Sequence, residues 1–220
     1  MTTRLLAEAI GTFFLFATVV GSGIMADDLA GGNVAVALLG NTLAVAAILF
    51  VLITMLGPIS GAHFNPAVTT VFALQGEVST GEALAYVAVQ LAAGVLGVWA
   101  VHVMFGQPVL QVAVTARTGM GQWLGEAIAT FGLVLTVLLT VKARSTWVPA
   151  SVALYIAAAI WFTSSTCFAN PAVTVARSLS NSFTGIAPGD VPAFIAAQLV
   201  GALIAMGAAR VLLADTERAA

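Results

Sequence analysis

The chain has 220 residues, 60% of them hydrophobic and only 7% charged, with a formal net charge of −2. Its mean hydropathy is +1.07. A water-soluble domain needs far more surface charge than this, and no basic patch offers a footing to nucleic acid, so the composition points to a polytopic protein of the lipid bilayer.

At roughly 20 residues per crossing, the length allows about six spans with short loops and no separate soluble domain. The first predicted span covers 5–26; its apolar run continues past a signal-peptide core without a cleavage site, so it reads as a retained helix. The second covers 33–56. Asn65-Pro66-Ala67 then opens a short apolar piece of about 66–76. Spans three to five are expected at 82–104, 121–143 and 147–165. A second such tripeptide, Asn170-Pro171-Ala172, opens a piece of about 171–180, and the sixth span covers 190–213.

Each short piece holds about ten residues, or ~15 Å of helix, half the hydrocarbon thickness. Neither can cross; both can re-enter. A helix beginning inside a bilayer leaves its first N–H groups without partners, which is tolerable only where the backbone lines a polar cavity. Pro suits the first helical position because it has no N–H, and Asn is a favoured cap. Two such starts suggest two half-helices meeting at a pore or a substrate site.

The two halves of the sequence repeat. Leu6, Glu8, Ala9, Thr12 and Phe13 match Leu124, Glu126, Ala127, Thr130 and Phe131 at one fixed offset. Gln90-Leu91 matches Gln198-Leu199, and Asn65-Pro66-Ala67-Val68-Thr69 matches Asn170-Pro171-Ala172-Val173-Thr174. Three spans per repeat, an odd number, make this an inverted repeat of about 1–115 and 116–220 within one transmembrane domain. Basic residues agree: Arg4, Lys142, Arg144, Arg210 and Arg218 fall on one side, read as cytoplasmic, against Arg117 and Arg177 on the other. Both termini are therefore expected in the cytoplasm.

These residues resemble the aquaporin, or major intrinsic protein, family. The likeness covers essentially the whole chain and is carried by Glu8, Glu126, the run Ser60-Gly61-Ala62-His63-Phe64-Asn65-Pro66-Ala67-Val68-Thr69 and the second Asn-Pro-Ala. It implies an all-α membrane protein of six transmembrane helices plus two re-entrant half-helices. It also implies a homotetramer with one pore per subunit, passing water or small uncharged solutes without a cofactor or metal. Asn65 and Asn170 would each offer an amide N–H to a passing oxygen while their carbonyls stay tied to backbone.

In most of the family the second motif continues Asn-Pro-Ala-Arg; here the next residue is Val173. Counting from the motifs puts the other constriction positions at Val45, Ala158 and Cys167. The inferred filter of Val45, Ala158, Cys167 and Val173 is Arg-free, wide and apolar, suited to glycerol-like polyols. Val173 followed by Ala176-Arg177-Ser178-Leu179 and Phe183-Thr184-Gly185-Ile186 resembles a bacterial aquaglyceroporin-like subgroup associated with arsenic resistance. Arsenous acid, an uncharged trihydroxide, is the metalloid hydroxide that this resemblance implies, and the bacterial inner membrane is the location.

Several residues keep two readings. Arg177, one helical turn beyond Val173, either charges the outer vestibule, or snorkels to the interface or pairs with a loop carboxylate such as Asp190. Glu8 and Glu126 either relay protons or accept hydrogen bonds from the re-entrant loops, the role the family implies. His63 lines the cytoplasmic half of the pore as a donor or acts as a pH gate. Gly57, Gly61, Gly94 and Gly97 are expected to permit close helix packing. A secondary transporter with broken helices shares this architecture, but would need an ion-coupling carboxylate cluster, for which only Glu8 and Glu126 are candidates.

Overall fold

The computed structural model describes the backbone of residues 1–219 and side chains through Ala214, so the Arg218 side chain lies outside the described residues. Among those residues there are eight α-helices and no strand. They are α1 (Thr2–Leu29), α2 (Val34–Ser60), α3 (Pro66–Leu74), α4 (Thr80–Met104), α5 (Met120–Arg144), α6 (Val148–Phe162), α7 (Pro171–Arg177) and α8 (Val191–Ala219). Five helical stretches are long and apolar enough to cross a membrane. One of them, Met120–Phe162, contains both α5 and α6. The chain leaves the helix at Arg144 (φ −157, ψ 82) and turns through a single 3-10 turn, Ser145–Trp147. Tyr155 Oη then donates to the carbonyls of Ile128 (3.3 Å) and Ala129 (3.1 Å), so α6 runs back along α5 as an antiparallel neighbour.

The predicted spans are recovered, each extended at one or both ends, apart from the fifth. Helix α6 has 15 residues and stops at Phe162, three short of the expected limit, because Thr163 is already extended (φ −99, ψ 140) and starts the second re-entrant loop. The half-helices are also shorter than their predicted ranges, nine residues in α3 and seven in α7. At 1.5 Å per residue neither exceeds ~14 Å, less than half of the ~30 Å hydrocarbon core.

Helix α1 packs on α2 and α4, α5 packs on α6 and α8, and α2 meets α6. Two glycines set the closest approaches. A Cβ on Gly97 would stand 2.5 Å from the Phe13 carbonyl oxygen, and one on Gly201 would stand 2.1 Å from that of Ala127. The α1–α4 and α5–α8 backbones thus touch in the same way, as small residues allow in lipid. Gly94 makes room for the Phe16 ring. Gly57, by contrast, has open space around it, and Gly61 serves instead as the left-handed C-cap of α2 (φ 89). The termini end of the bundle carries an ion pair, Arg4 Nη1 to Glu82 Oε1 at 2.6 Å.

Candidate functional site

The two segments that lead into the half-helices carry their backbone in a conformation side chains disfavour. Ala62 (φ 50), Phe64 (φ 47), Thr166 (φ 60), Cys167 (φ 52) and Ala169 (φ 47) are all left-handed. Each such residue costs on the order of 1–3 kcal/mol and persists only if its surroundings hold it. Two buried carboxylates do so. Glu8 Oε1 accepts from the Ser60 hydroxyl (2.7 Å) and His63 N (3.0 Å), and Oε2 accepts from Phe64 N and Gln90 Nε2 (both 2.8 Å). Glu126 accepts from Phe168 N (2.8 Å), Ala169 N (2.9 Å) and Gln198 Nε2 (2.5 Å). Gln90 and Gln198 each also donate to the half-helix behind, at Thr69 (3.1 Å) and Thr174 (2.9 Å). Every oxygen of both carboxylates therefore accepts at least one hydrogen bond from a re-entrant loop.

The half-helices start as their sequences predict. Pro66 and Pro171 take the first helical position, Asn65 Oδ1 accepts from Ala67 N, and Asn170 Oδ1 accepts from Ala172 N and Val173 N. The amide nitrogens do something the sequence did not reveal. Asn65 Nδ2 donates to the Ala169 carbonyl and Asn170 Nδ2 to the Phe64 carbonyl, each at 2.8 Å. The loops are stitched together across more than one hundred residues of sequence. Each amide has two N–H groups, so one on each side chain remains.

A cavity of about 330 Å³ runs past both motifs, lined by Asn65 and Asn170, by both re-entrant loops and by apolar side chains. Among the described residues, the carbonyls of 61–63 and 166–168 receive no protein donor, whereas the flanking Ser60, Phe64, Ser165 and Ala169 carbonyls all do. Each loop therefore carries a short run of bare acceptors, and the cavity it lines is otherwise bounded by apolar side chains including Val19, Leu49 and Val152. His63 lines the end nearer the termini. Its Nδ1 lies 3.1 Å from the Thr69 hydroxyl, which already accepts from Gln90. The contact ties the His63 ring to the half-helix through Thr69.

Val45, Cys167 and Val173 line this cavity; Ala158 does not. Ala158 lies on the exposed face of α6, and the wall is formed by Val148, Val152, Ile156 and Ile160 at four-residue spacing. Counting back from the motif ignored the phase of the helix, so two bulkier isoleucines stand where an alanine was expected.

The far mouth also differs from an Arg-free filter. Arg177 and Arg117 both line the cavity. Arg177 is neither snorkelling nor paired with Asp190: it is buried, with its guanidinium carbon 3.3 Å from the Phe168 ring centroid and Nε donating to the Thr184 carbonyl. Arg117, which the sequence marked only as a charge on the far side, lies over the same ring at 5.0 Å. Its Nε donates to the Gly185 carbonyl (2.8 Å), while Asp190 accepts from its backbone N–H (2.7 Å). The loop carrying it is laid on the one after α7: Ala113 N donates to Ser178 O (2.9 Å) and Ala187 N to Thr115 O (2.7 Å). A hydrogen-bonded chain of His102, Ser180, Ser182 and Thr184 ties α4 to the loop after α7.

Cys167 is the single cysteine of the chain, and its buried side chain borders the cavity. Mercuric ion added to the reconstituted protein is expected to block solute flux, and Cys167→Ser is expected to abolish the block. Equal inhibition of both proteins would place the reactive point elsewhere.

The family model described as major intrinsic protein matches residues 1–164. The chain is 53% identical over 213 residues to aquaglyceroporin AqpS of Rhizobium meliloti (strain 1021), a match covering 97% of this chain and 91% of that one. Aquaporin NIP1-1 of Arabidopsis thaliana is 38% identical over 103 residues, 47% of this chain and 34% of its own. The X-ray structure of the aquaglyceroporin from Plasmodium falciparum superposes with a TM-score of 0.67 at 20% identity, covering 94% of each chain; at that identity the likeness speaks for the fold. The family match across most of the sequence and the near-full-length relative place this membrane-embedded chain in the major intrinsic protein family.

Proposed function

We propose that the chain is a passive channel for water and small uncharged polyols, with the cavity between the two half-helices as its pore. One observation carries this reading: the reciprocal bonds between Asn65 and the Ala169 carbonyl and between Asn170 and the Phe64 carbonyl. They set the positive ends of two helices and two spare amide donors against one point of the cavity. A water or hydroxyl there turns its oxygen toward both amides, which interrupts a proton-conducting chain of waters. Cations meet the helix ends and two guanidiniums, with no carboxylate on the cavity wall to compensate.

A solute with hydroxyls on one side and an apolar edge on the other matches a cavity lined both by carbonyls and by valines and isoleucines. Glycerol has that form, and so does arsenous acid, the metalloid hydroxide suggested by the subgroup resemblance. We further propose the filter as Val45, Cys167 and Val173 with Ile156 or Ile160, in an inverted repeat of about 1–115 and 116–220. Four copies side by side in the bacterial inner membrane, with cytoplasmic termini, complete the reading. A coupled transporter would need a free intramembrane carboxylate, and both candidates are taken up in anchoring loops.

Stopped-flow light scattering on proteoliposomes tests this. Fluxes of water, glycerol and arsenous acid should rise linearly with concentration and ignore ion gradients. Saturable uptake driven by a proton or sodium gradient would overturn the channel reading.

A further inference from the structure

The two arginines at the far mouth make no ion pair; the carboxylate of Glu126 acts on both only through space. Neither is within ion-pair distance of a carboxylate among the described residues; Asp190, the acid beside them, is engaged by the Arg117 backbone N–H rather than by its guanidinium. Arg177 is 7% exposed. Its Nε is used by Thr184, while Nη1 and Nη2 have no protein acceptor among the described residues. Arg117 spends Nε on Gly185 and reaches the Ser165 carbonyl and Thr166 hydroxyl only weakly, with Nη1 at 3.4 and 3.5 Å, and its Nη2 is free. Both guanidiniums sit against one ring, Phe168, so their central carbons are within about 8 Å of each other, close enough to repel strongly where water is scarce.

Buried charge is ordinarily paired, and an unpaired like-charge couple is the more costly case. The unspent donors belong to forks whose geometry suits planar oxygen pairs. We propose that the far mouth holds a small monovalent oxyanion between Arg117 and Arg177, and that its occupancy slows the passage of neutral solutes. The anion engages the guanidinium donors that neither Asp190 nor the through-space charge of Glu126 reaches. Because it lies on the route past Val173, solute and anion compete for the same donors. The slowing rests on the channel reading above; the binding does not.

Nitrate is the probe, being planar, monovalent and unable to cross a bilayer as a neutral acid, and gluconate, too bulky for the mouth, is the reference at equal ionic strength. Two measurements are made on the full chain: nitrate titration by calorimetry in detergent, and glycerol flux in proteoliposomes with nitrate on the far side. Wild type should bind nitrate saturably and lose glycerol flux in step with binding. Arg117→Gln removes one charge-assisted donor set and should weaken both effects about tenfold. Arg117→Lys should retain part of them, and Arg4→Gln, at the opposite end, all of them. Absence of nitrate binding by wild type overturns the proposal, whatever the variants do. So does an equal nitrate response in wild type and Arg117→Gln; should the Gln variant not fold, the Lys variant is read in its place. Nitrate binding with neither water nor glycerol flux would keep the site and reject the channel.

Discussion

Replacing Glu126 with alanine is expected to abolish solute flux and to lower the thermal stability of the detergent-solubilised protein. The carboxylate accepts three hydrogen bonds, from the backbone N–H groups of Phe168 and Ala169 and from Gln198. Removing it leaves three buried donors unsatisfied, each costing about 1–3 kcal/mol. The loss falls on the segment that can least absorb it, since Thr166, Cys167 and Ala169 are left-handed and have no glycine to ease them. Once that loop relaxes, the Ala169 carbonyl moves away from Asn65 and Phe168 no longer supports Arg177. Glu126→Gln separates charge from bonding: its amide oxygen can still accept from one backbone N–H, but its NH₂ faces the other donor. Flux in the Gln variant should therefore be intermediate. A Glu126→Ala channel with normal glycerol flux and an unchanged unfolding temperature would show that the loop is held by something else.

How much of this could be read from the sequence depended on whether the signal was local. An Asn followed by Pro at the head of a short apolar run carries its own cap and its own missing N–H, so both half-helices were legible without coordinates. The matched residues Glu8 with Glu126 and Gln90 with Gln198 were legible as a pair, since a polar residue inside an apolar helix needs a partner. What failed was phase and long-range contact. Helix α6 is apolar towards lipid and apolar towards the cavity, so no contrast marks Ile156 and Ile160 as wall residues and Ala158 as an outer one. Arg117 gave no signal at all: its partners, Gly185 and Ser165, are brought to it by the pairing of two loops remote in sequence. The end of α6 was misjudged for a related reason, because Thr163 leaves the helix to suit the loop rather than any local breaker.

Placing an arginine at position 173 should leave water permeation nearly intact while cutting glycerol flux by at least about tenfold, the equivalent of ~1.4 kcal/mol on the barrier. Val173 is buried at the cavity wall, one turn before Arg177, and its backbone N–H is held by the Asn170 side chain (3.2 Å), so the new side chain has a fixed root. Its length projects a guanidinium into a mouth that already contains two, near the Phe168 ring. Narrowing and charge then act together: the larger solute loses its space first, and the loop carbonyls become acceptors for the new donors instead of for hydroxyls. Water, needing one donor and little room, still passes. Val173→Leu controls for bulk without charge and should cut glycerol flux less. Stopped-flow measurements of both solutes on the same vesicles decide the matter. If Val173→Arg conducted glycerol as well as wild type, the constriction would lie deeper, at Val45 and the isoleucines of α6, and the valine after the second motif would have no part in choosing the solute.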